Sequence, residues 1–138
     1  MIIALIRSMP ALVAKAIGPW REVLSIEDLP QIGHPEDGML KVRVISCGLA
    51  FPDVLTVEGK HIQRKKAPFV PGSEICGEIL EVGQGVTDEF NFHVGDLVFG
   101  TTNYGGLQEH TFLPALSAYK LPKGVDVSVG SGFELNCK

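Results

Sequence analysis

The side chains able to do chemistry gather between positions 47 and 76, where two thiols, Cys47 and Cys76, flank two carboxylates, Asp53 and Glu74. These types serve metal binding, nucleophilic attack or proton transfer, and each use demands its own spacing. A catalytic zinc takes three protein ligands and keeps one position open. No CxxC pair occurs, and none of His34, His61, His93 and His110 has a second histidine at i+4. No structural zinc knuckle is therefore indicated, and each histidine reads as a surface or loop residue rather than a ligand. Cys47 and Cys76 are flanked by apolar residues in strand-like runs, which suits core filling. No histidine-paired nucleophile pattern accompanies them. Asp53 leaves two readings open: a helix cap whose carboxylate accepts backbone N–H bonds, or a member of a reactive cleft. Glu74 reads as a structural acid that holds neighbouring backbone.

Short strands must position these residues. "MLKVRVISCGL" sets Leu40, Val42 and Val44 on one face with Lys41 and Arg43 between them, a period of two that marks a half-buried strand. "EICGEILEVG" is a second such run, with Ile75, Ile79 and Val82 as core candidates. A first strand is expected over 11–17, and "REVLSIEDL", "GDLVFG" and "LQEHTFLP" complete the set. Turn-rich segments recur about every ten residues, as in an all-β barrel or sandwich. Short helices are expected near Pro52 to Glu58 and from Asp126 onward.

The 138 residues fit one domain, and 45% hydrophobic with 20% charged residues is a globular balance. A formal charge of −4, with basic residues clustered only in "QRKK" at 63–66, argues against a nucleic-acid partner. That cluster reads as a solvated loop. Three cysteines, at 47, 76 and 137, give no disulfide framework and point to a reducing compartment. No apolar run approaches the roughly 18–20 residues that cross a bilayer, so no membrane partner is expected. No acidic residue precedes Glu22, which fits a mitochondrial leader, but Met1 to Ser8 reads better as a short extension. The expected location is cytoplasmic, with a mitochondrial one as the alternative.

The ordered strings "EVLSIEDLP", "VRVISCGLAFPDVL", "PFVPGSEICGEILEVGQGV", "VGDLVFG" and "GGLQEHTFLP" resemble the medium-chain dehydrogenases/reductases, most closely their zinc-independent quinone oxidoreductase branch. The resemblance spans residues 11–136 and implies a mainly β, GroES-like, partly open β-barrel with short helices. It implies an N-terminal extension over 1–10, a catalytic domain over 11–126 and the start of a connecting helix over 127–138. In zinc-dependent members a Cys stands at the position of Ala50 and a His at that of Ser73, so the resemblance implies a metal-free site here.

The same resemblance implies hydride transfer from NADPH to a quinone or enone. Such acceptors delocalise incoming charge themselves, so positioning outweighs Lewis-acid catalysis. Ala50 and Phe51 are implied at the cofactor, Leu55 at the substrate pocket, and Asp53 and Tyr104 as catalytic groups. Many quinone reductases carry Asn at the position of Ala50 and often Tyr at that of Leu55. Tyr104 is the nearest replacement donor in sequence, with loop-edge packing as its other reading. A dinucleotide grip needs a Gly-rich turn between a strand and a helix, and no GxGxxG occurs. The chain is thus expected to be inactive alone, with NADPH held in the full-length parent and the oligomer contact in the domain that follows. A non-catalytic GroES-like binding or assembly module is the alternative.

Overall fold

The computed structural model describes residues 8–86 and 88–134. Strand β1 (Ser8–Ala14) pairs antiparallel with β2 (Leu24–Pro30) through the four-residue helix α1 (Trp20–Val23). The first strand thus lies three residues earlier than the 11–17 expected. Its register runs from Ser8 opposite Pro30 to Ala14 opposite Leu24, and the Lys15 N–H then donates to the Val23 carbonyl at 3.0 Å. Met9, Ala11 and Val13 alternate inward, so the period of two fits the earlier start. The leader and extension readings of Met1 to Ser8 fall on residues 1–7, which lie outside the described residues, and on Ser8, which opens β1.

The second sheet holds five antiparallel strands: β3 (Met39–Gly48), β4 (Glu74–Val82), β5 (Leu97–Thr101), β6 (His110–Pro114) and β7 (Ala118–Lys120). Their order is β6-β3-β4-β5-β7, so the two chemistry-bearing strands are central neighbours. The sheet does not close on itself, because β6 and β7 end it on opposite edges. This is the mainly β, partly open arrangement that the resemblance implies. Leu40, Val42, Ile75, Ile79, Val98 and Leu113 are wholly buried and form its core. Arg43 faces outward, where it pairs with Glu78 across the ladder.

The β3–β4 register shifts between Lys41, opposite Glu81, and Val42, opposite Ile79. Leu80 is the extra residue, and such a bulge changes which parity points inward. That is why Ile79 and Val82, three apart, both pack against the same core. Residues Glu74 to Gly77 are buried on both faces of β4. The second face is covered by α3 (Val127–Gly130), whose Gly130 leaves no room for a side chain beside Cys76. The helix expected from residue 127 therefore ends after one turn, and residues 135–138 lie outside the described ones.

Helix α2 (Phe51–Val57) forms where expected, with Pro52 in its first turn, a position that needs no intrahelical N–H. Backbone bonds tie the small sheet to loops of the large one: the Leu12 N–H donates to Leu107, and Ala14 and Phe69 exchange bonds of 2.8 and 3.2 Å. Among the described residues no helix is long and apolar enough to cross a membrane.

Candidate functional site

The site is built around the start of α2. Ala50, the residue before the helix, is extended and has no side-chain acceptor for the helix N–H groups. Asp53, two residues inside the helix, supplies the missing tie: one carboxylate oxygen accepts the Ala50 N–H at 2.9 Å. The other accepts the Ser73 hydroxyl at 3.0 Å. Asp53 is 7% exposed, so both bonds act where water competes little. Asp53 thus fastens the helix start, as a capping carboxylate does, and also clasps the strand entry at Ser73.

Ser73 is delivered by Gly72, whose φ of +94° lies in the region that favours glycine. The next residue, Glu74, is 1% exposed and accepts the Glu134 N–H. The acid therefore holds backbone sixty residues downstream, as a structural carboxylate would. Gly48 lies beside the same turn: a Cβ there would sit 1.9 Å from the Ser131 carbonyl oxygen. Burial first, then the negative charges of Asp53 and Glu74, push the Cys47 thiol up to about 12. Burial likewise raises Cys76. Both thiols are neutral fillers. Among the described residues no three His, Cys, Asp or Glu side chains group so as to hold a metal ion.

Two cavities flank α2. A cleft of about 390 Å³, lined mainly by residues of polar type, is walled by Asp53 and Thr56 from the helix, by Ser73, and by Thr101 to Asn103. His61, Gln63 and Lys65 line it as well, together with Pro52, Pro114 and Ser117. An apolar cavity of about 210 Å³ lies among Trp20, Leu49, Val54, Val57 and Leu107. Asp53 borders both.

Of the residues singled out in the sequence, Ala50, Phe51 and Asp53 meet at one corner. Ala50 is half-buried and Phe51 is 72% exposed. Leu55 borders neither cavity; its carbonyl accepts the Lys60 and His61 N–H groups at 2.8 and 3.1 Å, shaping the turn that carries His61 to the cleft. Tyr104 is 47% exposed and does not itself line the cleft; it stands behind Lys65, whose ammonium lies 3.6 Å from the phenol ring centroid. Arg64 and Lys66 are exposed as a solvated loop should be, but Lys65 turns to the cleft. His61 and Lys65 are thus lining residues that the sequence reading left on the surface. A loop without periodicity carries no signal for which of its side chains faces inward.

Comparison with known proteins fits this arrangement. The alcohol dehydrogenase GroES-like domain family matches residues 36–123. A quinone oxidoreductase-like protein 2 homolog from Nematostella vectensis is 33% identical over 114 residues, covering 82% of this chain and 30% of that protein. The crystal structure of a human synaptic vesicle membrane protein VAT-1 homolog-like protein superposes with a TM-score of 0.85 at 31% identity, covering 94% of this chain and 40% of that one. The quinone oxidoreductase from Thermus thermophilus, solved also in complex with NADPH, gives 0.74 at 29% identity, over 92% and 37%. The chain spans under half the length of these relatives. It belongs to the alcohol dehydrogenase GroES-like domain family, among the quinone oxidoreductase-like medium-chain dehydrogenases/reductases.

Proposed function

We propose that this domain forms the acceptor half of a zinc-free, NADPH-dependent quinone or enone reductase. The observation that carries the reading is the Asp53 clasp. Ala50 and Ser73, matched by resemblance to the zinc ligands of other members, are both bound to one carboxylate, by a backbone N–H and a hydroxyl. Alanine offers no ligand atom, and Ser73 replaces an imidazole nitrogen with a hydroxyl whose proton is held by Asp53. The positions that elsewhere bind a metal here stiffen the cleft wall.

When bound, NADPH supplies the hydride. Its pyrophosphate does not fit the described residues: the Gly83–Gly85 turn after β4 leads to a 3-10 turn at Asp88–Phe90, not to an α-helix. In this reading the nucleotide is held by chain beyond this domain. Ala50 and Phe51 contact its reactive end, and Asp53 keeps that corner rigid. The phenol of Tyr104, braced by Lys65, donates to the acceptor oxygen, and Leu55 shapes the pocket through the turn it closes. Calorimetry with this chain alone should show no NADPH binding; micromolar affinity would overturn the division of labour. Joined to the part of the Thermus thermophilus protein that it does not cover, the chain should oxidise NADPH only when duroquinone is present. The rate should be unaffected by a zinc chelator. A folded, NADPH-binding chimera that leaves duroquinone untouched sinks the reading.

A further inference from the structure

We propose that the cleft beside α2 takes the anionic end of its ligand, a carboxylate or phosphate group, with Lys65 as the charged anchor. This rests on the cleft being the acceptor site, and so names an acceptor that carries an acidic group.

The chain has 16 acidic and 12 basic residues, so a lysine has carboxylates to choose from. Lys15, Lys60 and Lys120 take them, pairing with Glu27, Glu58 and Asp96 at 2.7 to 3.0 Å. Lys65 makes no ion pair among the described residues; it rests on the face of Tyr104 and lines the cleft. A ring face attracts an ammonium without neutralising it, so the charge remains available to a ligand. An ammonium is a point charge with three donors, suited to a carboxylate or phosphate.

The rest of the lining agrees. His61 Nδ1 accepts the Gln63 N–H at 3.1 Å, which leaves the Nε2–H of the neutral ring as a donor. Gln63, Asn103 and the Thr101 hydroxyl add polar groups able to donate, whereas the Thr56 hydroxyl is committed to the Pro52 carbonyl at 2.8 Å. The single carboxylate in the lining is Asp53, and each of its oxygens already accepts a bond within the protein. The cleft therefore offers an anion one cation and several donors, against one carboxylate whose charge remains but whose two oxygens are turned to the Ala50 N–H and the Ser73 hydroxyl.

The test titrates the isotopically labelled full chain with succinate, inorganic phosphate or neutral succinamide, ionic strength held constant with sodium chloride. At least one anion should shift the amide signals of Gln63, Lys65, Ser73 and Thr102, and succinamide should not. Succinate and phosphate arms then tell a carboxylate ligand from a phosphate one. Lys65→Met should weaken binding of that anion about tenfold, the scale of one charge-assisted bond. Lys65→Arg should restore most of it, and Lys66→Met, on an exposed neighbour, should change it less than twofold. Absence of shifts with both anions, equal shifts with succinamide, or equal losses in Lys65→Met and Lys66→Met would each overturn the proposal. Duroquinone turnover by the chimera with no anion binding sinks this proposal alone. Anion binding with no turnover sinks only the reductase reading.

Discussion

The carboxylate of Asp53 accepts the Ser73 hydroxyl at 3.0 Å, joining the first turn of α2 to the entry of β4 twenty positions later in the chain. A bond to a buried charged acceptor is worth more than a neutral one, about 1.5–3 kcal/mol. Ser73→Ala should therefore cost about 1.5 kcal/mol in urea unfolding. Asp53→Ala should cost about 3 kcal/mol, because it also abandons the Ala50 N–H. A double-mutant cycle should return a coupling of about 1–2 kcal/mol; strict additivity would show that the contact contributes nothing.

Gly48 has its neighbour's backbone where a side chain would go. A Cβ at this position would lie 1.9 Å from the Ser131 oxygen, and neither strand nor turn can yield by rotating a rotamer. Gly48→Ala should destabilise by about 3 kcal/mol or more, beyond ordinary overpacking. It should also displace the Glu134 amide signal, since that N–H is held by Glu74 on the same side.

The Cys47 thiol supplies a pH dependence. Burial, then Asp53 and Glu74, raise it from 9.0 to about 12. Folding therefore favours the protonated form, and that stabilisation is complete below pH 9. Between pH 9 and about 12 the unfolded chain ionises first, so stability drops by up to about 1.4 kcal/mol per pH unit from this group. Unfolding free energies measured from pH 8 to 11 should fall more steeply for the natural chain than for Cys47→Ser. Parallel curves would assign the alkaline loss to other groups.

Ile79 is wholly buried at the bulge where β4 changes parity. Ile79→Ala should cost about 3–4 kcal/mol, the upper range for a large core deletion, because the register shift pins the backbone and limits collapse into the void. A loss under 1 kcal/mol in chemical unfolding would mean that the core closes around it.

Much of this architecture was legible in the residues. The alternation through Leu40, Val42 and Arg43 marked β3 because one face of it is buried and the other is not. The reading of β4 was incomplete for a physical reason: Cys76 and Glu74 are covered by residues 127–134, more than fifty positions away. No local period can report a lid that arrives from so far along the chain. The first strand slipped by three residues because the apolar run from Ala11 continues through Ile17, while its end is set by pairing with Leu24. At the site, Asp53 could be singled out because an acid near a helix start has a mechanical use. Lys65 could not, since only the folded loop separates it from Arg64 and Lys66.

Asp53 stands as a party wall between two rooms, one lined with hydroxyls and amides, the other with hydrocarbon. Whatever turns its carboxylate away from Ser73 redraws the boundary of both at once. A substitution at Asp53 itself is thus never a private alteration, since the same side chain bounds both spaces.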